Sequence, residues 1–169
     1  MDYVNSLDEN GVCAKQGYSA ENLFYNILVK RGEVRKSTAY ENKKHVDFFL
    51  LKDGITTTFD VKARKKISRN DNGLCDEFVW VEILNIYGNV GWAFSPNVNF
   101  FAFEREKDFI LVSQPKLQKL IEEICNLTSM VTSSKKALYC AYRRFGRKDM
   151  ISLIKMSDLE AIASEILLK

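Results

Sequence analysis

Two aspartates and a lysine stand at spacings that suit chemistry on a phosphodiester. Asp47 lies within the apolar run Val46-Asp47-Phe48-Phe49-Leu50, and Asp60-Val61-Lys62 closes a second run, Thr56 to Lys62. Side chains alternate along a strand, so Asp60 and Lys62 project from one face while Val61 points the other way, into the core. That face gathers acids and an amine. Hydrolysis of a phosphodiester uses this mixture: hard carboxylate oxygens for Mg²⁺, with Mn²⁺ able to substitute, a water acidified by the cation, and positive charge beside the phosphate. Lys62 suits positioning or deprotonating the water and equally suits stabilising charge in the transition state. An aspartate among Val46, Phe48, Phe49 and Leu50 is costly to bury without a partner or a metal. A lone D-x-K triplet, by contrast, is common by chance, and Asp60 with Lys62 as a surface ion pair is the plain alternative.

The elements that must hold these residues are legible in the apolar periodicity. Leu23, Phe24, Ile27 and Leu28 follow helical spacing and predict a first helix from Tyr18 to Lys30, with Ser19 as N-cap and Gly32 as the stop. Val46 to Leu51 and Ile55 to Ala63 read as a hairpin across Asp53-Gly54. A loop over Ile67 to Asp76 leads into a strand from Glu77 to Ile86, with Val79, Val81 and Ile83 on one face, broken at Tyr87 to Gly91. Strands at Phe100 to Phe103 and Phe109 to Val112 precede a helix from about Pro115 to Asn126. The remainder reads as Ala137 to Phe145, a turn at Gly146, Met150 to Lys155, and a last helix opened by Ser157-x-x-Glu160. This order predicts one α/β domain over 1–169, a central mixed sheet flanked by helices, with a core at about 17–127 and a C-terminal hairpin and helix at 137–169.

The 169 residues suffice for one buried core without a staple. Cys13, Cys75, Cys125 and Cys140 are widely spaced and share the chain with one histidine, so reduced thiols are expected and a zinc site is not. No apolar run is long enough to span a bilayer and no signal peptide is recognisable, so the expectation is a cytoplasmic protein, in the host cell if phage-encoded, with no membrane partner. The net charge of +3 is too small to name a nucleic-acid partner by itself. Its distribution is more telling, because Lys62, Arg64, Lys65, Lys66 and Arg69 cluster just past the triplet, and Arg143, Arg144, Arg147 and Lys148 cluster near the predicted turn. Taken alone, such runs are more often solvated faces. Trp80 and Trp92 likewise are more often core than base-stacking residues.

With Gly17-Tyr18-Ser19-Ala20-Glu21-Asn22-Leu23-Phe24 ahead of Asp47 and Asp60-Val61-Lys62, the chain resembles the PD-(D/E)XK nuclease superfamily, most closely its small resolvase-like and phage-type members. The resemblance extends through Trp80 to Asn85, Gly91-Trp92 and Phe101 to Glu104, and covers roughly 17–115; Ala93 to Asn99 departs from it by lacking an acid. It implies a restriction-endonuclease-like fold and Mg²⁺-dependent DNA cleavage, selective for branched DNA in the manner of a Holliday-junction resolvase and performed by a homodimer. It further implies that Asp47 and Asp60 ligate the metal with the Val61 carbonyl, that Glu21 holds a second metal or a water, that Lys62 assists the nucleophile, and that Glu82 stands near the metal. In that context His45, placed two residues before Asp47 on the same strand face, and Arg64, Lys65, Lys66 and Arg69 become expected DNA contacts. Three alternatives remain: a site-specific homing or restriction endonuclease, an RNA-directed nuclease, and a non-catalytic nucleic-acid-binding module.

Overall fold

The computed structural model describes residues 11–68 and 71–169, with Val12, Cys13 and Ala14 through their backbone alone. Helix α1 spans Val12–Leu28, and Ala20, Phe24 and Leu28, one turn apart, form its buried stripe. It starts well before the expected Tyr18. Gly11, at φ 64°, is the residue that opens it, and Lys15 N–H already bonds the Gly11 carbonyl at 2.9 Å, so Ser19 is an exposed mid-helix residue and not a cap. Nor is Gly32 the stop, since α1 ends at Leu28. Gly32 is needed for another reason: a Cβ there would lie 2.6 Å from the Leu51 carbonyl oxygen.

The polar stretch that follows carries two elements the hydrophobic pattern does not signal, β1 (Glu33–Lys36) and the short helix α2 (Ala39–Asn42). A capping box makes α2: Thr38 Oγ1 accepts the Glu41 N–H at 3.3 Å, and Glu41 Oε2 accepts the Thr38 N–H at 2.8 Å. The expected hairpin is β2 (Phe48–Lys52) and β3 (Ile55–Lys62), joined by Asp53 and Gly54 at φ 51° and 77°, the positive pair that a tight two-residue hairpin demands.

Beyond it come β4 (Phe78–Leu84), a 3₁₀ turn at Trp92–Phe94, β5 (Phe100–Glu104), β6 (Asp108–Ser113) and helix α3 (Gln114–Ile124), close to expectation and with Pro115 in the first turn of α3. The C-terminal part departs further. Strand β7 (Asn126–Val131) was not expected, and the predicted strand from Ala137 to Phe145 shrinks to β8 (Cys140–Tyr142) because Tyr139, at φ 55°, breaks the extended chain. After β9 (Met150–Lys155), helix α4 (Met156–Ala161) is capped by Asp158, whose Oδ2 accepts the Lys155 N–H at 3.2 Å; Ser157 lies inside it and Glu160 binds Arg105 instead. Strand β10 (Glu165–Leu168) ends the fold.

These strands make two sheets and not one. The mixed sheet has six strands in the order β1-β2-β3-β5-β6-β10, with β3 and β5 parallel; the other has four, in the order β4-β9-β8-β7. One face of the six-stranded sheet packs Phe48, Phe59, Ala102 and Phe109 against Phe24 and Leu28 of α1, and the Phe24 ring meets those of Phe59 and Phe109 at 5.6 and 5.2 Å. The other face packs Phe101, Phe103, Ile110 and Val112 against Val81 of β4, Ile154 of β9, and Leu117 and Ile121 of α3. No helix among the described residues is long and apolar enough to cross a membrane.

Gly91 lets the 3₁₀ turn lie directly on β4. Its N–H bonds the Ile83 carbonyl at 2.8 Å, and a Cβ at this position would stand 2.3 Å from the Glu82 carbonyl oxygen and 2.7 Å from its carbon. Backbone cannot move aside as a side chain can. Gly91→Ala is therefore expected to destabilise the protein by about 1–3 kcal/mol, read as a lower urea midpoint with unchanged slope; an unchanged midpoint would show that the turn and β4 separate at little cost.

Candidate active site

Asp60 sits where the strand pattern puts it, on the face of β3 shared with Lys62, and the neighbouring strand β5 is apolar on that side. In the parallel register with β5, Asp60 lies beside Phe101 and Lys62 beside Phe103, both rings fully buried. Asp60 is 3% exposed, and its Oδ2 lies 2.7 Å from the Lys62 ammonium, which meets it in place of water. Burial pushes the Asp60 carboxyl up to about 8, with the Asp47 charge adding to the rise and Lys62 opposing it. The lysine is itself held from below, its Nζ 4.5 Å from the centre of the Trp92 ring, which in turn packs on Phe101 and Phe103.

Asp47 is placed just before β2 by a chain of local bonds. Its N–H reaches the Phe59 carbonyl at 2.8 Å, its carbonyl receives the Ser37 N–H at 2.9 Å, and its Oδ2 accepts the Val61 N–H at 2.8 Å. Asn42 Nδ2 donates to Oδ1 at 3.0 Å, so the last residue of α2 orients this carboxylate. The cap of α2 is tied in turn to β1, since Glu41 also takes both Arg35 nitrogens at 2.8 and 2.9 Å, and this pairing with Arg35 brings the Glu41 carboxyl down to about 2. Sequence reasoning missed Asn42 and its supports, although Thr38-x-x-Glu41 carries the capping-box signature.

Glu21 projects from α1 into the same neighbourhood. With Asp47, Lys36 and Asn42 it lines a cavity of about 450 Å³. Burial first and the Asp47 charge second raise its carboxyl to about 7, against the pull of Lys36 and Lys62. Glu82, on β4, stands on the other side, raised by burial and lowered by Lys62 and by the Trp92 N–H it accepts. Lys62 thus lies within electrostatic reach of Glu21, Asp60 and Glu82 together.

The flanking residues divide. His45 is half-buried and near Lys62 and Asp47, but it does not lie on a strand: at φ 65° it closes the turn after α2, its N–H on the Asn42 carbonyl at 2.9 Å. Burial and Lys62 lower its imidazole below the usual range, opposed by Asp47. Arg64 is engaged by Asp76 through two nitrogens at 2.5 and 3.1 Å, while Lys65 and Lys66 are exposed and Arg69 lies outside the described residues. The loop beyond is closed by Asp71, whose Oδ2 accepts the Ile67 and Ser68 N–H groups at 3.1 and 2.7 Å. Trp80 is half-buried and bonds the Ile67 carbonyl at 3.2 Å. Cys75, Cys125 and Cys140 carry no disulfide, and Cys13 lies among the residues whose side chains are not described.

Among the described residues no group of three or more His, Cys, Asp or Glu side chains is already gathered for a cation. The bonding accounts for this, because Asp47 spends its oxygens on Asn42 and Val61 while Asp60 faces Lys62. The donor set nonetheless suits a hard divalent ion in kind: the Asp47 and Asp60 carboxylates are neighbours, and Asp60 and Glu21 are held well above their ordinary range. No protein-family model, curated protein or solved structure matches this chain.

Between the ordinary aspartate value of 3.8 and about 8, the folded protein keeps on Asp60 a proton that the unfolded chain has released. Stability contributed by this site therefore falls as pH rises through that window. In EDTA, Asp60→Asn is expected to gain on the wild type across the same window, by on the order of a few kcal/mol in all. Thermal unfolding of both proteins at several pH values measures it, and a constant offset would remove the burial penalty from the account.

Proposed function

We propose that this chain is a Mg²⁺-dependent DNA endonuclease whose centre is Asp47, Asp60 and Lys62, with Glu21 and Glu82 at its two margins. The observation that carries the reading is the buried Asp60 carboxylate, set beside Asp47 and faced by a lysine, at a cost in desolvation that folding alone gives no reason to bear. Asp47 and Asp60, with the Val61 carbonyl, would hold Mg²⁺ or Mn²⁺, and Glu21 would hold a second ion or a water. Bound there, the cation supplies Lewis acidity and neutralises charge at the phosphodiester. The chain's own part is positional and electrostatic. Asn42 and the Val61 N–H fix the Asp47 carboxylate, and Trp92 supports the Lys62 ammonium where it can stabilise charge on the attacked phosphate. Lys65 and Lys66, exposed just past the catalytic strand, suit contact with the phosphate backbone.

The substrate we infer is branched DNA, cut by a homodimer that presents two such centres to a symmetric junction. The resemblance of Glu21, Asp47 and Asp60-Val61-Lys62 to resolvase-like nucleases supports this choice.

Labelled four-way-junction, duplex and single-stranded DNA, with single-stranded RNA beside them, should be offered to the wild type and to Asp60→Ala, in Mg²⁺, Mn²⁺ and EDTA. The wild type is expected to cut the junction in either metal and not in EDTA. Asp60→Ala is expected to lose at least about 10³-fold in rate, and Lys62→Ala about 10²–10⁴-fold. Mg²⁺ is also expected to raise the unfolding temperature of the wild type and not that of Asp60→Ala. Preferential cutting of RNA would move the substrate class, and binding of DNA without any metal-dependent cleavage would make the chain a binding module.

A further inference from the structure

The second basic group, Arg143-Arg144-Phe145-Gly146-Arg147-Lys148, forms the turn between β8 and β9, and only the Arg144 charge reaches the centre just described, where it acts on Glu82. Phe145, at its tip, is 103% exposed, so none of the described residues covers the ring. The base of the turn, in contrast, is fixed. Fully buried Asp149 pairs with the Arg144 guanidinium, its Oδ1 accepts the Arg144 N–H at 3.2 Å, and its carbonyl accepts Arg143 Nε at 3.3 Å. Gly146 at φ 71° and the bond from Arg147 N–H to the Arg144 carbonyl at 3.1 Å close the turn above it. An apolar ring is thus presented on a rigid stem among cations.

Residues of this turn, Arg144, Phe145 and Arg147, line a cleft of about 900 Å³ that Lys62 and Glu82 also line. Trp80 and Tyr142 form part of the cleft wall, their rings 6.2 Å apart. The volume is that of a small-molecule pocket, too small to enclose a double helix. A single base enters such a space readily, and aromatic faces with neighbouring cations are what an unpaired strand uses.

We propose that the cleft receives an unpaired nucleotide of the DNA substrate, with Phe145 as the surface on which the adjoining base stacks and Arg147 as a phosphate contact on the way to Lys62. The proposal rests on the nuclease reading and adds to it that a nucleotide at the cutting site is unpaired when the DNA is bound.

The test is binding in EDTA, where no cutting occurs, of a fully paired duplex and of the same duplex with one strand gapped, carrying 2-aminopurine in the unpaired segment. The wild type is expected to bind the gapped DNA about tenfold or more tightly than the paired one and to change the 2-aminopurine fluorescence. Phe145→Ala, a change at a fully exposed position, is expected to abolish that preference, and Phe145→Trp to keep it. Equal affinity of the wild type for both DNAs, or a preference that survives in Phe145→Ala, overturns the proposal. Metal-dependent cleavage by the wild type that is lost in Asp60→Ala identifies the nuclease independently, so the two readings fail separately.

Discussion

Desolvation of one carboxylate organises much of this molecule. Asp60 projects from β3 into the apolar surroundings that β5 supplies, beside Phe101 and below the level that solvent reaches. A charge so placed needs a cation, and the groups gathered around that cation come from different parts of the chain. Lys62 comes from the same strand, Trp92 beneath it from the 3₁₀ turn, and Glu82, which takes the Trp92 N–H, from the second sheet. The close approach of Gly91 to β4 ties these together. What looks like two packed sheets is also a scaffold converging on one buried carboxyl and its lysine.

The opposite side of the site is built by short-range bonds. Arg35 on Glu41, Glu41 on Thr38 and Asn42 on Asp47 run from β1 through α2 to the start of β2. Most of these groups are exposed, and exposed ion pairs add little stability. Their effect is directional, since they fix which way the Asp47 carboxylate points. One wall of the centre is therefore held by packing and the other by hydrogen bonds, and the two meet where Asp47 Oδ2 accepts the Val61 N–H.

How far the sequence discloses this depends on the range of the interaction. The hairpin carrying the triplet is legible because Asp53-Gly54 and the alternation of β3 are local signals, and Asp60 and Lys62 share a face as a strand requires. The α/β class and the mixed sheet follow from the element order. The second sheet is not legible, because nothing in Phe78 to Leu84 says that its partner is Met150 to Lys155 and not its sequence neighbours. His45 was misplaced for a subtler reason: a strand reading extended by two residues missed the positive φ that ends α2. The role of Trp92 escaped for want of a pattern, as an aromatic supporting a lysine looks in sequence like any core residue.

The pairing of β4 with β9 also bears on how the protein comes into being on the ribosome. Strand β4, with Glu82 in it, pairs through Phe78↔Lys155 and Val79↔Ile154, so its hydrogen-bonding edge finds its native partner only after residue 155 has been made. Until then the emerging chain can form the hairpin that bears Asp60 and Lys62, while the wall opposite Lys62 has no fixed position. The order of synthesis thus withholds a finished site from a nascent chain, and a message cut short before β9 would yield a product with the Asp60 hairpin formed, Glu82 unplaced and the cleft unbuilt.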